Sequence, residues 1–309
     1  MAVGDPTIAQ LRAFVAVARL GHFGEAADAL RISQPTLSQA IATLEGNLDL
    51  QLIERHARRL LITEDGQRLL PAAERAVAAM DSVIEQARPT EWLKGSLVVG
   101  IIPTIAPYLL PAMLREVRRD APDLDLRVRE DQTARLLRSL HSGDIDVAIL
   151  AVPTGEAGVR EIPLYDEDFL LAAPADSPVA GGTDLALSDL VGQHLLLLEE
   201  GHCLRDQTLA ICAEAGADPA DPVQSTSLAT VVQLVSAGMG VTLLPATAVA
   251  VESRGTSLGI ATFAAPAPVR RVGLAIRASS ARHQEFEDFG AIVRRAIKRR
   301  RMPARPVVA

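Results

Sequence analysis

Ala26-Ala27-Asp28-Ala29-Leu30-Arg31-Ile32-Ser33-Gln34-Pro35-Thr36-Leu37-Ser38-Gln39-Ala40-Ile41 is the stretch that decides how the N-terminal part of this chain folds. It reads as two short helices joined by a tight turn at Arg31-Ile32-Ser33. Ala26, Ala27 and Ala29 are small enough to let one helix cross another closely. Leu30, Leu37, Ile41 and, just beyond, Leu44 supply the buried faces. Ser33 is suited to cap the second helix, and Pro35 falls in its first turn, where a missing N–H does no harm. That leaves Gln34, Thr36, Ser38 and Gln39 facing outward at a helix N-terminus. Short polar side chains there reach base edges and phosphates when a recognition helix enters the major groove. An αα-hairpin with a polar face is the plainer alternative, but it does not need this concentration of donors.

Upstream, Leu11, Phe14, Val15 and Ala18 recur at helical spacing until Gly21 breaks the run. Helices are therefore predicted over about 7–20, 25–30 and 34–48. Residues 55–62 read as a small two-stranded wing carrying Arg55, Arg58 and Arg59, with His56 beside them, able to clamp phosphates beside the groove. The positive charge is local, because residues 1–88 hold nine Arg against eleven Asp plus Glu. Thr63 can cap a long helix running to about Ala87. In it Leu69, Ala73, Ala76, Met80, Val83 and Ala87 form a heptad seam, and the whole helix would be about 36 Å long, suited to pairing with a second chain. Pro71 predicts a kink in it. The competing reading is a helix packed on its own domain. Residues 88–94, with Pro89, read as a hinge.

From Ser96 the texture changes to alternating strands and helices: 97–101, 109–119, 124–130, 133–141 and 147–151, then 169–173, 195–198, a cysteine-containing helix, 241–244, 272–276 and a final helix over 284–298. This predicts an α/β domain with a mostly parallel sheet and a frayed tail after Arg301. The whole chain has 309 residues, a formal net charge of −7 and 49% hydrophobic residues, which argues for two or three folded domains and against wholesale disorder. No secretory signal opens it. The most apolar stretch, 228–251, is interrupted by Gln233, Ser236, Gly238, Gly240 and Pro245, so a soluble, cytoplasmic protein with no membrane contact is expected.

There are only two cysteines, too few for a disulfide scaffold or a four-cysteine zinc site, and no metal or cofactor is expected. They lie in Glu199-Glu200-Gly201-His202-Cys203-Leu204-Arg205-Asp206-Gln207 and Ile211-Cys212-Ala213-Glu214. A turn at Gly201 puts Cys203 near a helix N-terminus. There the dipole, with His202 and Arg205 nearby, is expected to lower the thiol pKa. An accessible thiolate with a second cysteine close by is the signature of a redox sensor. If 203–212 is continuous helix, the two Cα atoms are about 13 Å apart, and a disulfide tolerates no more than about 7 Å. Oxidation would then have to unwind the helix, which makes it a switch. The bland alternative is a pair of reduced core cysteines.

Residues 7–66, through Ala26-Ala27, Ser33-Gln34-Pro35-Thr36-Leu37-Ser38 and Leu44-Glu45, resemble the winged helix-turn-helix of LysR-type transcriptional regulators. The resemblance covers the whole chain. It implies a winged helix-turn-helix DNA-binding domain over 1–66, a linker (dimerisation) helix and hinge over 67–95, and a two-lobed α/β effector domain, similar to periplasmic binding proteins, over 96–309. Lobe I would be 96–168 plus 266–309, and lobe II 169–265. Ser33, Gln34, Pro35, Thr36, Ser38, Gln39, Arg55, Arg58 and Arg59 would meet double-stranded promoter DNA, and the chain would assemble as a homodimer or homotetramer and work with RNA polymerase.

The cysteine stretch, with Thr226-Ser227-Leu228 and Gly238-Met239-Gly240-Val241-Thr242-Leu243-Leu244-Pro245, is similar to the peroxide-sensing members of that family. This implies Cys203 as the peroxidatic and Cys212 as the resolving cysteine. It also implies a hydrogen peroxide pocket using Thr104, Thr133, His202, Arg205 and Arg270, and a cellular thiol reductant of the glutaredoxin or thioredoxin type to reset the switch. Activation or repression of antioxidant genes would follow. A regulator answering to a small metabolite between the lobes is the alternative, with dispensable cysteines. A thiol peroxidase would share the cysteine chemistry but needs neither residues 7–66 nor the heptad seam, so an enzyme is not expected.

Overall fold

The computed structural model describes residues 4–56, 59–86, 93–217 and 224–307. The chain divides into two compact units: Met1–Thr90 with His141–Asp144, and Glu91–Leu140 with Ile145–Ala309.

The first unit opens with α1 (Ile8–Leu20), held by a reciprocal cap in which Gln10 N donates to Thr7 Oγ1 and Thr7 N to Gln10 Oε1. Gly21 ends it at φ 66°, in the left-handed region. Helix α2 (Phe23–Leu30) begins two residues earlier than the sequence pattern predicts, because the His22 ring nitrogen accepts from Gly24 N and Glu25 N. Helix α3 (Gln34–Leu48) has the predicted bounds and the predicted Ser33 cap, with Thr36 N donating to Ser33 Oγ at 3.3 Å. Strands β1 (Ile53–His56) and β2 (Arg59–Ile62) pair antiparallel, with Ile53 opposite Ile62. The wing starts before residue 55 because Glu45 Oε1 accepts from both Leu52 N (2.8 Å) and Ile53 N (3.0 Å).

Helix α4 (Glu64–Gln86) is capped by Thr63, whose Oγ1 accepts from Gly66 N, and it continues through Pro71. Its Ala73 and Val77 join the core made by Phe14, Val17, Ala26, Leu37, Ile41 and Leu44. The near part of the helix therefore packs on its own domain, as the competing reading had it, while Met80 and Val83 further along are exposed. Ala26 and Ala27 are buried, but Ala29 is exposed, so the helix crossing does not use it. The expected hinge over 88–94 falls mostly on residues 87–92, outside the described residues.

The second unit runs β3 (Gly95–Ile101), α5 (Ala106–Asp120), β4 (Leu124–Glu130), α6 (Thr133–Ser142), β5 (Val147–Val152) and the long β6 (Val159–Pro174). It continues with β7 (Leu197–Leu198), α7 (Cys203–Ala215), β8 (Gln224–Ser225), α8 (Leu228–Ser236), β9 (Thr242–Pro245), α9 (Ala246–Glu252), β10 (Leu258–Ala261), β11 (Val269–Arg277), α10 (His283–Arg300) and β12 (Arg305–Pro306). The main sheet has the order β10-β6-β11-β5-β3-β4, with β9 and β12 also on β6.

Among the described residues of the main sheet, only β3 with β4 and β3 with β5 pair in parallel, across the crossover helices α5 and α6, while β7 and β8 form a separate parallel pair. Strand β11 is antiparallel to β5 and β6, and β9, β10 and β12 are antiparallel to β6. The expectation of a mostly parallel sheet is thus corrected to a mixed one. The chain leaves along β6 and returns along β11, and a return strand beside the outgoing one must run the opposite way.

Strand β6 changes partners at Asp168/Phe169: its first part pairs with β11, its last with β9 and β10. Two cores follow from this. One gathers Leu97, Val99, Leu109, Met113, Leu136, Ile149, Leu274, Phe286 and Phe289. The other gathers Phe169, Leu171, Leu196, Val231, Val235, Leu243, Leu244 and Phe263. The parts built on them are called here the first and second lobes.

The expected fraying after Arg301 is also corrected. Arg305 pairs opposite Asp166 in the sheet, its guanidinium makes two bonds of 2.7 and 2.8 Å to Asp168, and Val307 N donates to Leu164 O. The apolar stretch 228–251 becomes α8, β9 and α9, and among the described residues no helix is long and apolar enough to cross a membrane.

Candidate functional site

Cys203 is the first residue of α7, entered through a turn at Gly201 (φ 91°). The left-handed backbone there is one reason for glycine. The other is space, since a Cβ would stand 2.7 Å from Gln132 Oε1. Gln132, just before α6, also donates from Nε2 to Glu200 O at 3.4 Å, so the turn carrying Cys203 is held against the first lobe. The cleft in front of the thiol is lined by Ile102, Pro103, Thr104, Gln132, Thr133, Gly201, His202 and Cys203. Thr104, Thr133 and His202, named from sequence, are therefore brought together with Cys203.

Arg270 does not line the cleft but lies directly behind it. Its side chain is fully buried, with Nη1 donating to Thr104 Oγ1 (3.3 Å), Nη2 to Thr104 O (3.0 Å) and Nε to Glu167 Oε1 (2.7 Å). Glu167 is its cross-strand partner in the β6–β11 ladder, which is why the two side chains share a face. The other carboxylate oxygen of Glu167 accepts from Thr247 N (3.1 Å) and Thr247 Oγ1 (2.6 Å), in the first turn of α9. Arg205 is placed elsewhere: it lines a separate small cavity in the second lobe with Leu196, Leu198, Leu204, Thr208 and Leu228.

The expectation of a lowered Cys203 pKa is corrected. Burial pushes the thiol above its ordinary value. The Arg270 charge and the Thr133 hydroxyl, which has no other protein partner among the described residues, pull it back without overcoming burial. His202 lends no positive charge at neutral pH, because burial lowers its pKa more than Glu199 raises it. The resting sulfur is thus mainly a thiol, beside one buried cation and one hydroxyl able to stabilise the thiolate.

Both cysteines are free. Helix α7 is unbroken from Cys203 to Cys212, so the nine-residue separation of about 13 Å holds. Cys203 packs against the core of the first lobe, whereas Cys212 is fully buried in the core of the second. Joining the sulfurs demands more than unwinding a helix: at least one of them must leave its core.

In the first unit the exposed N-terminal face of α3 presents Gln34, Pro35, Thr36 and Gln39, with Ser38 half-buried. Ser33 Oγ lies 2.7 Å from Thr36 Oγ1, which fixes the turn that presents them. Arg55 and Arg59 fall on the two strands of the wing, and Arg58 lies outside the described residues. Sequence reading missed Glu45, Gln132, Glu167 and Thr247. Only the short-range part of their roles had any signal: Glu167 sits in Tyr165-Asp166-Glu167-Asp168, where nothing marks one acid as the buried one.

Residues 8–67 match the family described as bacterial regulatory helix-turn-helix protein, lysR family, and residues 91–298 match the LysR substrate binding domain. A protein of Mycobacterium leprae called probable hydrogen peroxide-inducible genes activator is 50% identical over 292 residues, covering 94% of each chain. The Escherichia coli DNA-binding transcriptional dual regulator OxyR is 39% identical over 93% of this chain and 94% of its own. Among solved structures, full-length OxyR of Pseudomonas aeruginosa, with its cysteine replaced by aspartate, superposes with a TM-score of 0.77 at 35% identity, over 93% of this chain and 94% of that one. The peroxide-bound cysteine-to-serine mutant of Corynebacterium glutamicum OxyR gives 0.67 at 46% identity, over 96% and 94%. With a DNA-reading head, a two-lobed effector unit and relatives of this identity along nearly its whole length, the chain belongs to the LysR family of DNA-binding transcriptional regulators, among the hydrogen peroxide-inducible genes activators.

Proposed function

We propose that the chain regulates antioxidant genes in response to hydrogen peroxide, with Cys203 as the peroxidatic and Cys212 as the resolving thiol. The observation that carries this reading is the setting of Cys203: a single thiol in the wall of a small cleft, with the Thr104 and Thr133 hydroxyls beside it and the buried Arg270 behind. The Cys203 thiolate attacks one peroxide oxygen in line with the O–O bond. That bond breaks, the other oxygen leaves as hydroxide and takes up a proton to become water, and the sulfur becomes a sulfenic acid. The threonine hydroxyls hold and orient the peroxide, neutral His202 closes the cleft, and Arg270 stabilises the charge on the departing oxygen. Arg205, on its separate cavity, takes a supporting place in the second lobe rather than a peroxide contact.

The Cys212 sulfur then attacks the Cys203 sulfur, an S–S bond forms and a second water leaves. Two protein hydrogens are lost in all, and a dithiol reductant reverses the step. Because the sulfurs start in different lobe cores, the oxidised segment must rearrange between the lobes. The DNA-reading heads are carried at fixed spacing by the assembly, a homodimer or homotetramer paired through the exposed part of α4. Ser33, Gln34, Pro35, Thr36, Ser38 and Gln39 read promoter DNA, while Arg55, Arg58 and Arg59 hold its phosphates. The proposed organisation is the DNA-binding domain over 1–66, the linker over 67–95 and the effector over 96–309, working in the cytoplasm with RNA polymerase as activator or repressor.

The test is mass spectrometry of the full chain after brief, low-micromolar peroxide, with free thiols alkylated. A two-dalton loss mapped to a Cys203–Cys212 linkage is the expected result. Two alkylated thiols at doses that oxidise a control sensor would overturn the peroxide reading in favour of a metabolite bound between the lobes.

A further inference from the structure

A fully buried ion pair needs a reason to exist, since two charges withdrawn from water are stable only when their geometry is good and their remaining hydrogen-bonding positions are filled. Arg270 and Glu167 meet both conditions, with both side chains at zero exposure. Apart from its bond to Glu167, every contact of the guanidinium named above points to the redox site: Thr104 Oγ1 and Thr104 O on one side, and the Cys203 sulfur within reach of its charge. Neither carboxylate oxygen of Glu167 is spare, because Oε1 takes Arg270 Nε and Oε2 takes both the backbone N–H and the hydroxyl of Thr247. Thr247 belongs to α9, and the far end of that helix is also tied to the first lobe, where Tyr108 Oη donates to Glu252 Oε1 at 2.8 Å. A chain of contacts therefore runs from the cleft wall, through Arg270 and Glu167, to a helix of the second lobe.

We propose that Glu167 is a positioning residue for the peroxide reaction: it fixes the Arg270 guanidinium against Thr104 and, through Thr247, ties that guanidinium to the second lobe. This rests on the peroxide reading of Cys203. Thr104 gains from it directly. With Arg270 Nη1 donating into its oxygen, the Thr104 hydroxyl hydrogen is directed away from Arg270 and is free to be given to peroxide. Glu167 also sets how strongly Arg270 acts on the sulfur, because a carboxylate on Nε partly cancels the cation that Cys203 feels. The charged and titratable groups facing this cluster are Cys203, His202 and Asp206 on the α7 side, Tyr165 beside Glu167 on β6, and Tyr108 on α5. Among the described residues none of them replaces Glu167 as a hydrogen-bonded anion on Arg270.

The experiment uses the full-length reduced protein, with two readouts for each variant: the pH profile of Cys203 alkylation without peroxide, and the rate of peroxide-driven thiol loss. Glu167→Gln keeps an acceptor for Arg270 Nε but removes the anion. Its alkylation midpoint should fall by about one pH unit, since an opposite charge close by has that order of effect. Its peroxide rate, compared at equal thiolate fraction, should fall roughly tenfold, because the Arg270–Thr104 arrangement is no longer held. Thr247→Val keeps the ion pair and packing volume but removes the hydroxyl that anchors Glu167. It should lower the peroxide rate roughly threefold with the alkylation midpoint unmoved, and it covers the case in which Glu167→Gln does not fold.

Wild-type profiles and rates in the variants overturn the assignment. So does a Glu167→Gln protein that is slower at every pH with an unshifted midpoint, since loosened packing alone does that. If the wild-type chain itself ignores peroxide, the peroxide reading fails, and the alkylation midpoint still decides whether Glu167 controls Arg270.

Discussion

Cys203 shows how a single environment sets reactivity. Its position at the start of α7 suggested a lowered pKa from the helix dipole, yet burial outweighs that and the thiol is raised. The sign is then fixed. Below the raised pKa the sulfur is protonated, so alkylation in the absence of peroxide should be slower at pH 7 than for a free cysteine. It should climb about tenfold per pH unit and level off only above the ordinary thiol range, as a stopped alkylation series will show. A midpoint below that range would reinstate the dipole argument. Cys203→Ser, of nearly the same size, should abolish peroxide-dependent change in DNA binding while leaving the protein folded and DNA-bound, read by footprinting with and without peroxide. Neither residue-level expectation depends on the operator sequence.

At the scale of elements, α7 and α3 carry the argument. Helix α7 must open for the sulfurs to meet, so helix stability between them opposes the disulfide. Ala210 is exposed in the middle of this segment, and Ala210→Gly weakens the helix by about 1 kcal/mol without touching either core. The dithiol–disulfide equilibrium, measured against a glutathione buffer, should shift about fivefold toward the oxidised form. An unchanged equilibrium would mean that the helix does not open. For α3, Gln34→Ala should change which operator is preferred, while Arg58→Ala should weaken specific and random duplexes alike and reduce the salt slope by about one. Equal losses on both duplexes for Gln34→Ala would count against base reading at that position.

For the whole molecule, the proposed pairing of chains turns on the far part of α4. Ala73 and Val77 are spent on the core of the first unit, but Met80 and Val83 are 36% and 59% exposed, a pairing face left without cover on the described chain. Placing Glu at both positions should yield a folded monomer by light scattering and lower operator affinity. A tetramer that survives the double change would move the interface elsewhere. The near half of the same helix was harder to read from sequence, because a heptad seam and a domain-packing face use the same spacing of apolar residues.

Local features were legible along the chain: the helix-turn-helix and its Ser33 cap, the α/β alternation, and α7 with a cysteine at its start and another nine residues on. These follow from periodicity, capping and turn chemistry, which act over a few neighbouring residues. The peroxide setting was legible only as a resemblance, though Thr104, Thr133 and His202 do meet at Cys203. The tertiary structure alone decided that the sheet is mixed, that the tail is paired through Arg305, that Arg205 faces another cavity and that Cys203 is raised. It alone put the two sulfurs in different cores and joined Arg270 to Glu167 across strands that lie 103 residues apart in the chain. Burial and long-range pairing are properties of the packed chain. No window along the sequence contains both partners, and a buried charge looks the same as an exposed one until its partner is in place.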